Sequence, residues 1–261
     1  MGCLIGIDIG STSAKTVVLD ENHTILHRLI QPTGWSSIDA AEQIRVRLRE
    51  LGISTEDNAV VATGYGRVSV PYADKCITEI TCHARGAVFL HGEPRLTVID
   101  IGGQDTKLIS VEDGQVQNFL MNDKCSAGTG RFLEVMANTL SLRPEELCAL
   151  AARGGGVSIS SMCTVFAESE VISLIGRGEP RENIAFAVVD SIVKKVCAQA
   201  AQLHVENGAV CLTGGLCGME YIRNSLSFAL GTTVISCEDG RYAGAIGAAL
   251  SAETLRNASN R

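Results

Sequence analysis

Hydrophobic residues fall into two patterns along the chain, short apolar runs and longer segments with helical spacing. The apolar runs that begin near Leu4 and Leu96 predict buried strands, and each is followed by a Gly-containing turn and a second apolar run. Apolar positions three and four residues apart predict helices over about 38–51, 77–90, 132–140, 165–175, 184–203 and from 242 onward. Strands and helices mixed in this order predict an α/β protein.

One strand–turn–strand pattern occurs twice. The two copies share an aspartate at the end of the first strand, a glycine in the turn and a lysine in the second strand, at equal spacing: Asp8, Gly10 and Lys15, then Asp100, Gly102 and Lys107. Each copy predicts a β-hairpin with an aspartate at its edge. The order of strands and helices resembles a ribonuclease-H-like unit, and the repeat predicts two of them, domains 1–93 and 94–261, with a nucleotide cleft between the hairpins. The C-terminal helix, 242–257, is a candidate to pack back on the first domain.

The duplicated hairpins have the chemistry of a phosphate site. Backbone N–H groups of Gly-lined turns bind phosphate oxygens, and the hydroxyls of Ser11, Thr12 and Ser13 add donors. A carboxylate at the edge of such a turn can hold hydrated Mg²⁺. Because the chain lacks the Gly-x-x-x-x-Gly-Lys-Ser/Thr loop, we expect a nucleoside triphosphate site of another type.

Charge and composition exclude several classes of protein. The 22 basic and 29 acidic residues give a net charge of −7 without any basic run, which argues against a nucleic-acid partner. A hydrophobic fraction of 46% excludes disorder as the main state. Because no apolar stretch is long enough to span a bilayer and the N-terminus lacks a secretion signal, we expect a soluble cytoplasmic protein without a membrane partner.

Most of the ten cysteines lie in apolar surroundings. In a cytosolic chain, cysteines are buried small hydrophobes, metal ligands or redox groups. We expect core packing for four that lie within apolar patterns: Cys3, Cys148, Cys197 and Cys211. Packing is also favoured over metal ligation for Cys76 and Cys82 near His83 and for Cys217 beside the Gly214–Gly215 turn.

Cys125 and Cys163 break this pattern. Each lies in a polar segment just ahead of a predicted helix, where unpaired N–H groups and the helix dipole favour a thiolate. Metal ligation and redox chemistry are both compatible with this pair. Two ligands cannot complete a four-cysteine site within one chain, but a symmetric homodimer would supply four thiolates at its twofold axis.

The motifs resemble those of a known family, the ATP-dependent activator components of 2-hydroxyacyl-CoA dehydratases, which are related to the ATPase subunits of benzoyl-CoA reductase. The resemblance spans nearly the whole chain. The matching stretches are Gly6–Thr12, Thr63–Arg67, Ile99–Asp105, Asn122–Cys125 with Ala127–Leu133, and Cys163–Glu170. The two cysteine motifs are highly specific, whereas sugar kinases, actin and chaperone ATPases share the phosphate hairpins.

The resemblance implies an actin-like two-domain ATPase fold and a homodimer that holds one 4Fe–4S cluster through Cys125 and Cys163 of each subunit. It also implies ATP hydrolysis coupled to one-electron transfer to a 2-hydroxyacyl-CoA dehydratase or related reductase, with ferredoxin or flavodoxin as electron donor. Ser126 and Met162 replace residues that are usually Ala and Thr in the family. Cys76 gains no role from the resemblance.

Positions in the motifs suggest roles for individual residues. Asp8, Asp100 and Gln104 are the candidate catalytic residues, the two aspartates as organisers of Mg²⁺ and water. The candidate contacts for ATP or ADP are Gly10, Ser11, Thr12, Ser13, Ala14, Lys15, Gly102, Gly103 and Arg131, with Gly214 and Gly215 on the nucleoside. Lys107 either contacts phosphate or lies at a solvent-exposed strand edge.

Two other functions stay open at this point. A small-molecule kinase of the same superfamily would need an acceptor pocket and a base, and it would leave the two cysteine motifs unexplained. A non-catalytic iron–sulfur carrier would leave the repeated hairpins unused.

Overall fold

The computed structural model describes residues 2–160, 163–203 and 208–259, with side chains described to residue 255. It contains two five-stranded sheets and eight α-helices within those ranges. The strands are β1 Leu4–Ile9, β2 Ser13–Leu19, β3 Ile25–Pro32, β4 Ala59–Thr63, β5 Lys75–Cys76, β6 Leu96–Ile101, β7 Thr106–Glu112, β8 Gln115–Asn122, β9 Ala209–Gly214 and β10 Val234–Ile235. The helices are α1 Ser37–Glu50, α2 Glu79–His91, α3 Gly130–Thr139, α4 Pro144–Ala151, α5 Thr164–Gly176, α6 Arg181–Leu203, α7 Glu220–Leu230 and α8 Ala243–Ser259.

The two sheets have the same strand order. The first runs β3-β2-β1-β4-β5 and the second β8-β7-β6-β9-β10. In the first, β1 pairs antiparallel with β2 and parallel with β4; in the second, β6 pairs parallel with β9. β6 and β7 are neighbours joined by residues 102–105, a connection so short that their pairing is antiparallel. The sequence repeat is therefore a repeat of topology.

The chain divides into two compact units, each built from more than one segment of the sequence. The first comprises Met1–Arg95, Val111–Gln117 and Asp239–Arg261, and the second comprises Leu96–Ser110 and Asn118–Glu238. The C-terminal helix α8 thus belongs to the first unit, with α2, β1, β2 and β4 as its neighbours. The division into domains 1–93 and 94–261 stays a prediction, because a compact unit is not the same as a domain that folds alone.

In the first unit, alternation along β1 directs side chains to two cores. Ile5, Ile7 and Ile9 pack with α1 on one face of the sheet, whereas Leu4 packs with α8 on the other. Gly6 also lies on the α8 face, where a Cβ atom would overlap the carbonyl of Ala245. The same face carries Asp8.

In the second unit, one core lies between the sheet and its helices. Ile99, Ile101 and Leu108 of β6 and β7 are buried against α3, α4, α6 and α7, and Phe132 of α3 is the largest of the fully buried side chains there. This core supports the end of β6, which carries Asp100.

The predicted helices agree with α1, α2, α3, α5, α6 and α8 to within a few residues. Sequence reasoning did not identify α4 or α7. Among the described residues no helix combines the length and the apolar character that a membrane span requires.

Candidate functional site

The first hairpin is a tight turn braced by neighbouring strands. The N–H of Gly10 donates to the carbonyl of Ser13 (3.1 Å), which closes the turn between β1 and β2. Thr33, just after β3, donates its hydroxyl to the carbonyl of Gly10 (2.7 Å) and its N–H to that of Thr12 (3.1 Å). The predicted phosphate contacts in this turn are accessible, since Thr12 is exposed and Ser11 and Ser13 are half-buried.

The remaining predicted contacts of this hairpin differ in burial. Lys15 is half-buried in β2, opposite Asp8 in the register of the sheet. Ala14 of β2 is buried in the core with the isoleucines of β1, so it can contact a nucleotide only through its backbone.

Asp8 lies at the end of β1 in a narrow buried space. Its side chain is 6% exposed, and Nε2 of His83 in α2 lies 3.9 Å from its Oδ2, beyond hydrogen-bonding distance. A Cβ on Gly244 of α8 would approach Asp8 Oδ2 to 2.6 Å and His83 Nε2 to 2.8 Å. Gly244 therefore packs directly against the Asp8 carboxylate and the His83 imidazole, and a larger residue would collide with both.

The second hairpin repeats the turn of the first. The N–H of Gly102 donates to the carbonyl of Asp105 (2.9 Å), the position that matches Ser13. Gly102 and Gly103 are half-buried and Gln104 is exposed, so the turn presents the predicted catalytic glutamine to solvent.

Asp100 differs from Asp8 because its charge is neutralised locally. Lys107 Nζ lies 3.3 Å from Asp100 Oδ2 and 2.8 Å from Asp105 Oδ2, and Thr213 donates its hydroxyl to Asp100 Oδ1 (2.8 Å). The side chains of this group are at most 6% exposed. The solvent-exposed placement considered for Lys107 is therefore wrong: the lysine is a buried counter-ion to two carboxylates.

A Thr-Gly dipeptide lies next to each of the two aspartates, and sequence reasoning did not identify it as part of the repeat. Thr63 is the last residue of β4 and Thr213 the last but one of β9, and they stand opposite Asp8 and Asp100 on the parallel neighbours β1 and β6. Each is followed by a glycine with positive φ, +86° at Gly64 and +84° at Gly214. A Cβ at either glycine would overlap the carbonyl of Ile9 or Ile101, so both positions require glycine. The repeated Thr-Gly dipeptide was the available signal.

The predicted nucleoside contacts, Gly214 and Gly215, lie at the end of β9 and directly after it. Gly215 donates its N–H to the carbonyl of Ile101 (3.0 Å), which holds the turn against β6 close to Asp100. Arg131 is exposed in the first turn of α3, with its guanidinium 3.4 Å from Glu134.

Cys163 is the N-cap residue of α5 and is exposed. The Glu170 carboxylate, in the second turn of this helix, accepts hydrogen bonds from the N–H and the hydroxyl of Ser160 (both 2.9 Å), and Glu168 accepts one from Thr139 (3.2 Å). These glutamates thus hold neighbouring segments to α5. Met162, one of the two residues that depart from the family motif, lies outside the described residues.

Cys125 is half-buried in a turn that precedes α3, but the helix does not begin at it. The N-cap of α3 is Thr129, and the first helical N–H groups, of Gly130 and Arg131, donate to the carbonyls of Gly102 and Gly103 (2.9 and 2.8 Å). The expectation that the α3 N-terminus favours the Cys125 thiolate is therefore wrong, because that terminus is occupied by the second hairpin.

The two cysteine segments meet at the residues that follow the cysteines. The hydroxyl oxygens of Ser126 and Thr164 lie 2.8 Å apart and share a hydrogen bond. Among the described residues no group of three or more His, Cys, Asp or Glu side chains could hold a metal ion. The pair Cys125 and Cys163 is thus at most half of a four-thiolate site.

The core cysteines behave as small hydrophobes. Cys148 and Cys211 are buried as expected, and burial raises the pKa of both thiols, to about 12 for Cys148. Burial likewise raises the pKa of Cys82 to about 12. Cys3 and Cys197 are half-buried rather than fully buried, and Cys76 is exposed on the edge strand β5.

Comparisons with known proteins agree with this architecture. Residues 5–252 match the model of the BadF/BadG/BcrA/BcrD ATPase family. The (R)-2-hydroxyglutaryl-CoA dehydratase activating ATPase of Acidaminococcus fermentans is 42% identical over 249 residues, which cover 94% of this chain and 95% of the relative. The activator of lactoyl-CoA dehydratase from Anaerotignum propionicum is likewise 42% identical over 249 residues, covering 94% and 95%.

Solved structures give the same result. The activator of the 2-hydroxyisocaproyl-CoA dehydratase from Clostridium difficile with bound ADPNP superposes with a TM-score of 0.91 at 38% identity, covering 99% of this chain and 97% of that one. A ROK family glucokinase from Streptomyces griseus, at a TM-score of 0.61 and 16% identity over 97% of this chain and all of that one, shares the fold alone. The fold is the actin-like ATPase fold. On the family match and these identities, the chain belongs to the BadF/BadG/BcrA/BcrD ATPase family.

Proposed function

We propose that this protein is an ATP-hydrolysing activator that delivers single low-potential electrons to a 2-hydroxyacyl-CoA dehydratase or a related reductase. The relatives named as activators of such dehydratases, at about 40% identity along nearly the full chain, support the partner class. Ferredoxin or flavodoxin is the proposed electron donor. The observation that carries the electron-transfer part is the approach of the Cys125 and Cys163 segments at Ser126 and Thr164.

ATP and ADP are proposed to bind through the two hairpin turns. The hydroxyls and N–H groups of Ser11, Thr12 and Ser13 in the first unit, and the Gly102–Gln104 turn in the second, would contact phosphate oxygens. The first turn is braced by Thr33, so its donors are held in place before phosphate arrives. Such preorganisation lowers the entropic cost of binding.

Mg²⁺ and the attacking water are proposed to be oriented by Asp8 and Asp100, with different strengths. Asp100 and Asp105 of the second unit both contact the Lys107 ammonium, which reduces the negative charge available there to a cation. Asp8 faces the His83 imidazole at 3.9 Å, too far for a hydrogen bond, instead of a lysine ammonium, so it is the stronger candidate for binding hydrated Mg²⁺. Gln104, exposed on its turn, is proposed to orient water.

The cysteine pair fits a shared 4Fe–4S cluster by its donor set. Four thiolates are the ligands of such clusters, and two copies of this chain would supply them from Cys125 and Cys163. When bound, the cluster supplies one-electron redox chemistry. The exposed N-cap position of Cys163 places the positive end of the α5 dipole near the thiolate. At about 0.5–1 kcal/mol for each copy's α5, the two dipoles would stabilise negative charge at the site by roughly 1–2 kcal/mol. This corresponds to a change on the order of 50 mV in the reduction potential of a one-electron couple.

Nucleotide binding and the cysteine segment are linked directly within the second unit. Gly102 and Gly103, proposed phosphate contacts, accept hydrogen bonds from the first turn of α3, and Thr106 donates its hydroxyl to the carbonyl of Gly128 (2.8 Å). Cys125 lies three residues before Gly128. A change in the hairpin turn on ATP binding or hydrolysis would therefore be passed to the Cys125 segment.

The deciding experiment is anaerobic purification followed by iron and sulfide analysis, electron paramagnetic resonance after reduction, and measurement of subunit mass. We expect about four irons per dimer and ATP hydrolysis by the same preparation. A monomer that carries a complete cluster, or an iron-free dimer that phosphorylates a sugar, would overturn the proposal.

Ligand assignment is tested by cysteine variants. Cys125→Ala and Cys163→Ala should each give protein without a cluster, while Cys76→Ala, which removes an exposed cysteine of the first unit, should keep its iron. Full iron content in either of the first two variants would place the ligands elsewhere.

A further inference from the structure

The contact between the two cysteine segments joins residues far apart in sequence. Ser126 and Thr164 are separated by 38 positions, are partly buried, and share one hydrogen bond between their hydroxyls. Each directly follows a cysteine, so each cysteine Cα lies about 3.8 Å from the Cα of a hydroxyl-bearing residue. A bond between the hydroxyls therefore limits how far the two cysteines can separate.

Each segment is also fixed to its own support. On the Cys125 side, Asn122 donates its side-chain amide to the carbonyl of Cys125 (2.8 Å), and Thr129 donates its hydroxyl to the carbonyl of Ser126 (2.6 Å). These bonds hold backbone carbonyls and leave the Ser126 hydroxyl available to Thr164. The turn is thus rigid on its own strand and helix, and its position relative to α5 depends on a further contact.

On the Cys163 side, the support is α5 itself. Ala167 donates its N–H to the carbonyl of Cys163 (2.9 Å), and Glu170 holds Ser160 through two hydrogen bonds. These bonds fix Cys163 relative to α5 but not relative to Cys125. The Ser126–Thr164 bond, in contrast, joins the residues that directly follow the two cysteines, so it acts on the distance between them.

We propose that Ser126 and Thr164 form a positioning pair that holds Cys125 and Cys163 at ligand spacing before any metal is bound. The inference rests on the proposed function in so far as the spacing serves a shared cluster. The pair does not contact the reacting atoms; it acts through the backbone of the neighbouring cysteines. Preorganised ligands bind metal faster and release it more slowly than ligands that must first be brought together.

The first test uses metal-free protein, so it does not depend on the cluster. Thr164→Val, which removes a hydroxyl beside Cys163, should increase the rate of iodoacetamide alkylation of Cys125 by about three- to tenfold, as expected for the loss of one hydrogen bond. Mass spectrometry gives the rate at each cysteine, and the exposed Cys76 serves as internal reference. Thr164→Ser keeps the hydroxyl and should react at the wild-type rate.

The second test uses the anaerobic holoprotein and follows iron loss to a chelator. Ser126→Ala and Thr164→Val should each accelerate iron loss by about three- to tenfold, and the double variant should be no faster than either single variant, because one shared bond is removed in all three. Thr164→Ser should restore the wild-type rate.

Additive effects in the double variant, or alkylation of Cys125 unchanged by Thr164→Val, would overturn the positioning role. If the wild-type protein binds no iron, the proposed function fails while the alkylation experiment still decides whether the pair fixes the cysteines.

Discussion

At the scale of single residues, the two copies of the hairpin aspartate have diverged in their surroundings. Asp100 is held by Lys107 and Thr213, whereas Asp8 faces the imidazole of His83 at 3.9 Å. Both aspartates are almost fully buried. The same residue type therefore has two different settings, a carboxylate fixed in an ion network and a carboxylate beside an imidazole.

This difference predicts separate outcomes for the two Asn substitutions. Asp8→Asn should lower the ATPase kcat by about 10²-fold or more with little change in stability, because the carboxylate is the proposed Mg²⁺ organiser. Asp100→Asn should lower ATPase activity and also reduce the free energy of unfolding by about 2 kcal/mol, because it weakens charged hydrogen bonds to Lys107 and Thr213. Steady-state ATPase assays and urea unfolding measure both. Equal stability losses in the two variants would contradict the assignment.

Lys107 is predicted to be a stability residue of the second unit. Lys107→Met would leave Asp100 and Asp105 buried without their counter-ion, which should cost about 3–5 kcal/mol. The matched control is Lys194→Met, which breaks the pair between the exposed Lys194 and the half-buried Asp190 and should cost under about 1 kcal/mol. Urea midpoints of the two variants give the comparison, and a stable Lys107→Met protein would disprove a buried ion network.

The buried thiols predict a graded alkylation pattern. Because burial raises the pKa of Cys82 and Cys148 to about 12, only about one thiol in 10⁴ is ionised at pH 8, and alkylation requires the thiolate. Iodoacetamide at pH 8 should therefore modify the exposed Cys76 and leave both buried thiols intact until urea unfolds the chain. Rapid modification of Cys82 in the native protein would show that α2 opens readily.

At the scale of elements, α8 packs by backbone contact. A Cβ at Gly247 of α8 would overlap the carbonyl of Cys82 in α2, and one at Gly86 of α2 would overlap that of Ala243. The small residues of the α8 sequence permit close approach, and the structure shows that the approach is to α2 and β1. The position of α8 in turn places Gly244 beside Asp8.

We predict that Gly247→Ala destabilises the protein by about 3 kcal/mol, because backbone atoms of α2 must move to accept the methyl group. Gly176→Ala, near the end of α5, meets no atom within 4 Å and should be neutral or stabilising by up to about 1 kcal/mol. Thermal unfolding of both variants checks the contrast. If Gly247→Ala unfolds like the wild type, α2 and α8 are not in backbone contact.

The elements themselves show what sequence patterns can predict. The hairpins and the long helices were predicted because their signals are local: alternating or helical apolar spacing and Gly at the turns. The missed helix α4 carries local signals too, a proline at its first position and Glu146 accepting from the N–H of Arg143 (2.8 Å). α7 is followed by Gly231 in the left-handed conformation, which is a common stop signal.

Local sequence signals could not predict the tertiary contacts that define the candidate site. The α3 N-terminus meets the Gly102–Gly103 turn, and Ser126 meets Thr164, only because tertiary packing brings distant segments together. The sequence predicted helix starts near both cysteines, but nothing in it indicated that the α3 donors are used by the hairpin. Burial of Lys107 was undetermined for the same reason, since its partners depend on how β6 and β7 pair.

At the scale of the whole molecule, the same topology has been used twice with different additions. The first unit adds α8, which packs against β1 and places Gly244 against Asp8. The second unit adds α3 to α7 and with them the two cysteine segments. The second hairpin, where the phosphate turn and α3 share hydrogen bonds, therefore gives the proposed coupling of ATP to electron transfer a direct route.

A proline at position 130 tests this route. Gly130 is the first helical residue of α3, where proline is favoured, and Thr129 before it is already extended (φ −115°, ψ 173°), as proline requires of its neighbour. Gly130→Pro should therefore preserve the helix while removing the N–H that donates to Gly102. Gly130→Ala keeps that N–H, and its Cβ, 3.1 Å from the Gly102 carbonyl, needs a shift of a few tenths of an ångström.

In the anaerobic holoprotein, a non-hydrolysable ATP analogue should change the rate of iron loss to a chelator in the wild type and in Gly130→Ala. In Gly130→Pro the nucleotide-induced change should be at least about threefold smaller, as expected for losing one hydrogen bond in the connection, while the affinity for the analogue stays measurable. An undiminished response in the proline variant would mean that the nucleotide signal reaches the Cys125 segment by some path other than the contact between Gly102 and α3.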